Sequence, residues 1–352
     1  MHSVLSYFRN YFDPQGAAPL ANHSAGQIAR HLHETLGRYG TVDYLDYAEA
    51  PRGMQADLFV GHFWAFDGAW RQNVFRKKVA FYTASDPEAR RAFLKPLAQE
   101  FGVPFPEWDF PPEPFDHRAT MDAADLVLLV GNRWTLDSFA ERWRHKIRCL
   151  NYSVDTALYG APSDVPRKNE FCYVATECGL RKGFMDVLRT WSGISPRETR
   201  LHAVGKLGQG WERHLHLHNH GNIVFHNWID SHSEEYIRLL KSCRFAFIPT
   251  YAEGQMGTLL EAIFCGCVPI TTRQSGIDER VLEHCIVVEP LQIDQQRAAI
   301  RDVLAWSAPE FAARQARVME AAQACQTWDV FARGVANGLA ELGFLLPAGS
   351  RP

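Results

Sequence analysis

Short apolar runs alternate with longer amphipathic stretches along the whole chain. In the first half the apolar runs at 4–8, 42–45, 57–60, 79–83, 126–130 and 147–150 read as buried strands. A helix over 24–39 separates the first two, with Ile28, Leu32, Thr35 and Leu36 on one face. Gly40 is placed to end it in a left-handed cap. Asn132 is placed to cap a helix carrying Leu136 and Phe139. In the second half strands are expected at 170–175, 200–204, 223–225, 245–249, 268–271 and 286–288. Helices are expected at 183–191, 233–242, 258–265, 292–305 and 309–323. Strands alternating with helices imply βαβ units and parallel sheets. Two successive arrays of similar size predict two Rossmann-like α/β domains facing one another, over 1–150 and 151–325. Residues 151–166, with Gly160, Pro162 and Pro166, form the natural linker.

One stretch breaks the rhythm. Residues 100–115, EFGVPFPEWDFPPEPF, are crowded with proline and aromatics and cannot form one regular element. They read as a packed connecting loop or as a lid or acceptor-site wall.

Composition narrows the class. A chain of 352 residues suits two domains. With 37 basic and 40 acidic residues the net charge of -3 argues against binding nucleic acid through the whole surface. The 46% hydrophobic content, with 10 Trp and 22 Phe, is that of a well-supplied globular core. No apolar run approaches the roughly 20 residues of a membrane-spanning helix. Ser6 and Arg9 interrupt the N-terminal apolar run, so no secretory signal is expected and a cytosolic protein is. The eight Cys are scattered without a CxxC pair, as expected of reduced, mostly buried thiols.

Charge is uneven within that balance. Arg71, Arg76, Lys77, Lys78, Arg90, Arg91 and Lys95 face only Asp86 and Glu88 in the same stretch. They form either a solvated face or a surface attracted to an anionic membrane or phosphorylated lipid-like acceptor. His214, His216, His218 and His220 read as an exposed helix end rather than a metal site. GKLGQG at 205–210 departs from the dinucleotide fingerprint.

The chemistry concentrates at 248–276, IPTYAEGQMGTLLEAIFCGCVPITTRQSG. A strand ends near Pro249, a loop carries Glu253, Gly254 and Gly257, and a helix from Thr258 follows. Leu259, Leu260, Ile263 and Phe264 share the face that packs on the sheet, and Glu261 lies off it, in the first helical turn. Both carboxylates then point into the crevice at the carboxyl ends of the strands, where open α/β sheets bind ligands. The unpaired first-turn amides suit a phosphate, with Gly254 and Gly257 letting the backbone approach. Carboxylates beside a phosphate site suit sugar hydroxyls, so the pattern points to a nucleotide sugar. On spacing alone a plainer alternative stays open: Glu261 favours the helix terminus electrostatically and Glu253 is a solvated loop residue.

The spacing Glu253-x7-Glu261 followed by LLEAIFCGCVPITT resembles the E-x7-E region of glycosyltransferase family 4, which has the GT-B fold. NYSVD (151–155), the Arg181-Lys182-Gly183 turn, GNIVFHNWI (221–229), SGIDERV (275–281) and Trp328 resemble further motifs of that family in order along the chain. The resemblance implies a GT-B architecture, with residues 326–352 ending in a helix that crosses back to the first domain. It implies a retaining transferase that uses a nucleotide-sugar donor and needs no metal or other cofactor. The first domain would bind the acceptor, a glycan or other hydroxyl of polysaccharide or glycolipid synthesis that the sequence does not identify; the basic stretch at 71–95 points to an anionic or lipid-linked one, with peripheral membrane contact.

By the same resemblance Glu253 contacts the transferred sugar and Glu261 holds the ribose hydroxyls. Lys182 neutralises the donor diphosphate, and Gly16 offers it an amide, beside Gly254, Gly257 and Thr258. Where the family often carries an Arg this chain has Thr176, and Arg181 is the candidate for the missing charge. The family's glycine three residues after the first Glu is Met256, with Gly257 displaced by one. In place of the family's FHT pattern this chain has FYT, which puts Tyr82 in the position of a catalytic histidine and leaves His62, in GHFWAF, as the second candidate. These departures keep two alternatives: a weakly active GT-B module acting as a partner subunit, and another GT-B enzyme such as a nucleotide-sugar epimerase.

Overall fold

The structure is a computed structural model that describes residues 1–8, 24–47, 49, 52–64, 66–111, 115–161 and 163–345. The chain divides into two compact units. Unit 1 holds Met1–Ala89, Glu107–Tyr152 and Thr327–Pro352; unit 2 holds Arg90–Pro106 and Ser153–Gln326.

Unit 1 is built on a six-stranded parallel sheet of β1 (His2–Tyr7), β2 (Thr41–Asp46), β3 (Gln55–His62), β4 (Val74–Tyr82), β5 (Leu126–Val130) and β6 (Ile147–Leu150). Its order is β2-β1-β3-β4-β5-β6. Helices cover both faces, so the central strands are apolar on both sides. Val79 and Phe81 enter one core cluster and Ala80 and Tyr82 the other, following the two-residue period of a strand. The final helix, Trp328–Glu341, packs in the first cluster through Phe331, Val335 and Leu339. Trp328 stacks on His31 with ring centroids 4.0 Å apart. Gly338 brings that helix so close to the sheet that a Cβ there would lie 2.9 Å from Leu126.

Unit 2 carries β7 (Lys168–Cys178), β8 (Leu201–Leu207), β9 (Ile223–Phe225), β10 (Cys243–Ile248), β11 (Val268–Thr271) and β12 (Ile286–Val287). All pairs are parallel and the order is β12-β11-β10-β7-β8-β9. The chain winds outward from β7 through β8 and β9, then returns to the other side of β7 with β10. This is the doubly wound Rossmann order, and its switch point lies between β7 and β10. The expected α/β class, with two Rossmann-like parallel sheets, is therefore what the structure holds, and the last helix belongs to unit 1.

Several local expectations change. The helix after β1 spans Ser24–Gly37, and Gly40 is no left-handed cap: its φ is 152°, and a Cβ would sit 2.0 Å from the Met1 carbonyl. A helix over Pro87–Phe101 runs through Pro96, a residue that argues against a helix in sequence, so the start of 100–115 is helical, and Glu107–Asp109 forms a 3-10 turn beyond. The basic residues of 71–95 are divided between the two units, and several are matched locally. Arg71 pairs with Asp67 at 2.8 Å and Lys77 with Asp125 at 3.4 Å. His214 is buried in the helix Glu212–His218, not at an exposed end, and burial lowers its pKa. Among the described residues no three His, Cys, Asp or Glu side chains are placed to hold a metal ion, and no helix is long and apolar enough to cross a membrane.

Candidate functional site

The carboxyl ends of β7, β10 and β11 stand side by side, and backbone hydrogen bonds join the loops that leave them. After β7, the Arg181 carbonyl accepts from the Tyr251 amide at 2.9 Å and from the Thr250 hydroxyl at 3.0 Å. The Thr272 hydroxyl donates to the Thr250 carbonyl at 2.6 Å, and the Met256 amide to the Ser275 carbonyl at 2.9 Å. Two glycines make these approaches possible. Gly183 has φ 68°, and a Cβ there would lie 1.9 Å from the Pro249 carbonyl. Gly276 has φ 69°, and a Cβ would lie 1.3 Å from the Gly254 carbonyl. Only glycine fits either place.

This bracing brings Arg181, Lys182 and Glu253 together. Glu253 is buried, and its carboxylate meets Lys182 Nζ at 2.7 Å, the Arg181 guanidinium, and the Thr250 hydroxyl at 3.3 Å. A carboxylate removed from water is tolerated only with such partners. Glu253 is therefore not a solvated loop residue.

The helix Gly257–Phe264 starts directly after the Glu253 loop. Met256 stands at its N-cap and offers no side-chain acceptor to the first-turn amides. The helix Phe184–Trp191 begins beside Lys182, also without a side-chain cap, because Gly183 is its N-cap. Two uncapped, positively polarised helix ends thus adjoin the two cations. Thr258 donates its hydroxyl to the Val174 carbonyl at 3.0 Å and so ties the helix start to β7.

Glu261 lies one turn deeper than its expected first-turn position. It keeps 9% of its surface, and its Oε2 accepts the Tyr236 hydroxyl at 2.5 Å. Burial pushes its carboxyl up to about 7, with the hydrogen bond from Tyr236, the nearby Tyr159 phenol and the charge of Lys182 opposing the rise. The one residue thus lies within the electrostatic reach of the cation that also holds Glu253.

Sequence reasoning passed over these tyrosines and Asp186. Asp186 is fully buried in the helix Phe184–Trp191, where it accepts from the Tyr251 hydroxyl at 2.5 Å, the Leu291 amide at 2.6 Å and Gln296 Nε2 at 2.7 Å. The signal was an acid on the apolar face of an amphipathic helix; its partners lie far away in sequence. Asn227 was also unremarked. It has φ 56°, and its carbonyl accepts from the Gly205 amide at 2.8 Å.

In unit 1 the two candidates differ from what a free base requires. His62 ends β3, is 3% exposed, and is boxed by Tyr7, Phe8, Phe63 and Trp64 with ring centroids 4.7–5.8 Å away. Burial lowers its pKa to about 3, so it is neutral at physiological pH. Its Nδ1 is buried without a partner, and its Nε2 lies 3.5 Å from the Thr83 hydroxyl. Tyr82 is completely buried and stacks on Phe63 at 4.4 Å. Its hydroxyl lies 3.1 Å from His117 Nδ1, and His117 Nε2 lies 2.7 Å from Asp86 Oδ2. With Asp86 accepting, the His117 proton is assigned to Nε2 and Tyr82 donates to Nδ1. Beside Asp86 opens a groove of about 630 Å³, in which Arg118 faces Glu88 at 3.2 Å and Arg144 faces Asp137 at 3.2 Å. Gly16 lies outside the described residues.

Residues 168–305 match the family described as glycosyl transferases group 1. No curated protein matches the chain in sequence. Among solved structures, sucrose-phosphate synthase from Thermosynechococcus elongatus superposes with a TM-score of 0.67 at 17% identity, over 97% of this chain and 99% of its own. WaaG, a glycosyltransferase involved in lipopolysaccharide biosynthesis, gives 0.62 at 14% identity, over 99% and 100%. HepE of Anabaena, solved with UDP and glucose, gives 0.62 at 12% identity, over 97% and 100%. The fold of the chain is that of these GT-B structures.

Proposed function

We propose that the chain is a glycosyltransferase that moves a sugar from a nucleotide-sugar donor to a hydroxyl group, with retention at the anomeric carbon. The observation that carries this reading is the Arg181–Lys182–Glu253 cluster at the β7/β10 switch point, with Glu261 on the following helix. All four residues fall within the segment that matches glycosyl transferases group 1. The donor diphosphate would lie against Lys182, Arg181 and the two uncapped helix ends. The ribose hydroxyls would bond Glu261, and Glu253 would exchange its cations for hydroxyls of the transferred sugar. In unit 1 the acceptor is taken to be a glycan or lipid-linked hydroxyl.

The bond between the anomeric carbon and the diphosphate oxygen breaks while the acceptor oxygen bonds to the same face of that carbon. The acceptor proton passes to the departing phosphate oxygen, so no protein base is needed, in keeping with a neutral His62 and a sealed Tyr82. The protein's part is to stabilise charge on the leaving group with preorganised cations and amides. Arg181 and Lys182 would supply this charge without a metal ion.

The test is a thermal-shift screen over nucleotide sugars, with UDP-glucose first because HepE was solved with UDP and glucose. Donors that stabilise the protein are then assayed for release of nucleotide. Lys182→Ala is expected to lower turnover by about a hundredfold or more, and Glu253→Ala to abolish it. Stabilisation by no donor, or variants that turn over like wild type, would defeat the reading. An inverted anomeric centre in the product, read by NMR, would remove retention alone.

A second reading has one observation in its favour: Tyr82, which replaces the family's histidine, is sealed in the core by His117 and Asp86. A partner module that binds nucleotide sugar without turnover would show the thermal shift and no release. An epimerase would change the donor sugar itself with no acceptor present.

A further inference from the structure

The two acids of the site are held in different ways: Glu253 by cations, Glu261 by a phenol. The Tyr236 hydroxyl meets Glu261 Oε2 at 2.5 Å, and Tyr236 is 2% exposed. Tyr236 sits in the first turn of the helix Glu234–Ser242, where the Ser233 hydroxyl accepts its amide at 3.2 Å. The N-cap thereby sets the point from which the phenol reaches. Tyr159, 1% exposed, bears on the same carboxylate and donates its proton to the Ser231 carbonyl at 3.2 Å. Lys182 acts on it as the nearby cation.

Apolar burial alone would need only a phenyl ring at 236. A hydroxyl at 2.5 Å adds direction. Holding Oε2 fixes the plane of the carboxylate, and with it the positions of the remaining lone pairs. It also favours the ionised form, which alone accepts two hydroxyl protons from a ligand. Resting on the reading of Glu261 as the ribose acceptor, we infer that Tyr236 is a positioning residue for donor recognition. It aligns Glu261 for the neighbouring 2′- and 3′-hydroxyls of a ribonucleoside diphosphate and so makes the site select ribose over deoxyribose.

The experiment measures binding of UDP, ADP and GDP and of their 2′-deoxy counterparts to full-length wild type, Tyr236→Phe, Glu261→Gln and the double variant by calorimetry. Wild type is expected to prefer the ribo form of its nucleotide by about tenfold or more, the scale of a lost hydrogen bond to a charged group. Tyr236→Phe is expected to lose most of that preference by weakening the ribo form while leaving the deoxy form nearly unchanged. The double variant should lose no more than Glu261→Gln, since both act on one contact. Any loss of folded protein scales both affinities alike and leaves their ratio intact, so the ratio is the readout. A wild-type ratio in Tyr236→Phe, with the ratio lost in Glu261→Gln, would overturn the role of Tyr236 alone. A wild type that binds no nucleotide, or binds without discrimination, would overturn the ribose reading of Glu261 and this inference with it.

Discussion

Replacing Glu261 by glutamine isolates the cost of a buried charge. The carboxyl stands at about 7 in the folded chain against an ordinary 4.5, chiefly because burial disfavours the ion. The folded state therefore holds this proton more tightly than the unfolded state does. The stability that comes with it is complete below about pH 4.5, declines as pH rises, and is lost once pH passes about 7. At about 1.4 kcal/mol for each tenfold change, the full span is worth about 3 kcal/mol. Between pH 5 and pH 8 the wild type should lose about 2 to 3 kcal/mol through this one residue. Glutamine keeps the shape and does not titrate. Urea unfolding of both proteins at the two pH values gives the comparison directly, since every other titrating group cancels in the difference. Glu261→Gln should gain about 2 to 3 kcal/mol on wild type from pH 5 to pH 8. A difference that is the same at both pH values would refute the raised carboxyl and the argument from burial. Nucleotide binding has the opposite preference: ribose hydroxyls donate to the ion. Wild-type affinity for a nucleotide should accordingly rise from pH 6 to pH 8, with proton release on binding near pH 7 visible in buffers of different ionisation heat.

Further outcomes follow from the same contacts. Glu253→Gln frees Arg181 and Lys182 from their internal carboxylate, so nucleoside diphosphate should bind about tenfold tighter while transfer is lost; weaker binding in calorimetry would contradict this. Gly183→Ala forces a side chain into a left-handed backbone against the Pro249 carbonyl, and should lower stability by more than the roughly 1–2 kcal/mol of that conformation alone, read as a drop in Tm. Asn227→Gly should be nearly neutral and Asn227→Val destabilising by about 1 kcal/mol or more, a contrast that vanishes if the turn can relax.

The legible parts of the chain were those with local causes. The strand runs at 126–130, 147–150, 223–225 and 268–271 fall where the structure has them; 126–130 and 268–271 are buried at every position, as inner strands of a covered parallel sheet are, and the edge strands 147–150 and 223–225 bury only part of theirs. The Asn132 cap was equally local, and its side chain accepts the Thr135 amide at 3.0 Å. The Pro87–Phe101 helix escaped because Pro96 argues against a helix from sequence alone, and only packing outweighs it. At the site, Glu253 and Glu261 were visible from their spacing, and the meeting of Glu253 with Lys182 follows from parallel strands lying side by side. Their environments were not visible. Tyr236 and Tyr159 lie 25 and about 100 residues from Glu261, and no short-range pattern marks a phenol that reaches a carboxylate on another helix. Tyr82 shows the same limit. Its place at the end of β4 was expected, but its burial is decided by His117 and Asp86 from two other segments.

The braces among the loops after β7, β10 and β11 run through backbone carbonyls and amides, threonine hydroxyls and two glycines. None of them uses the charged ends of Arg181, Lys182 or Glu253. The frame and its chemical equipment are thus separate inheritances. Charges on such a mount can be exchanged one at a time while the mount stays in register, whereas a change at Gly183 or Gly276 alters the mount and displaces every group it carries. A lineage of proteins on this frame can therefore change its donor by point substitution and keep its architecture, with the glycines the least replaceable residues of a site whose chemistry they never touch.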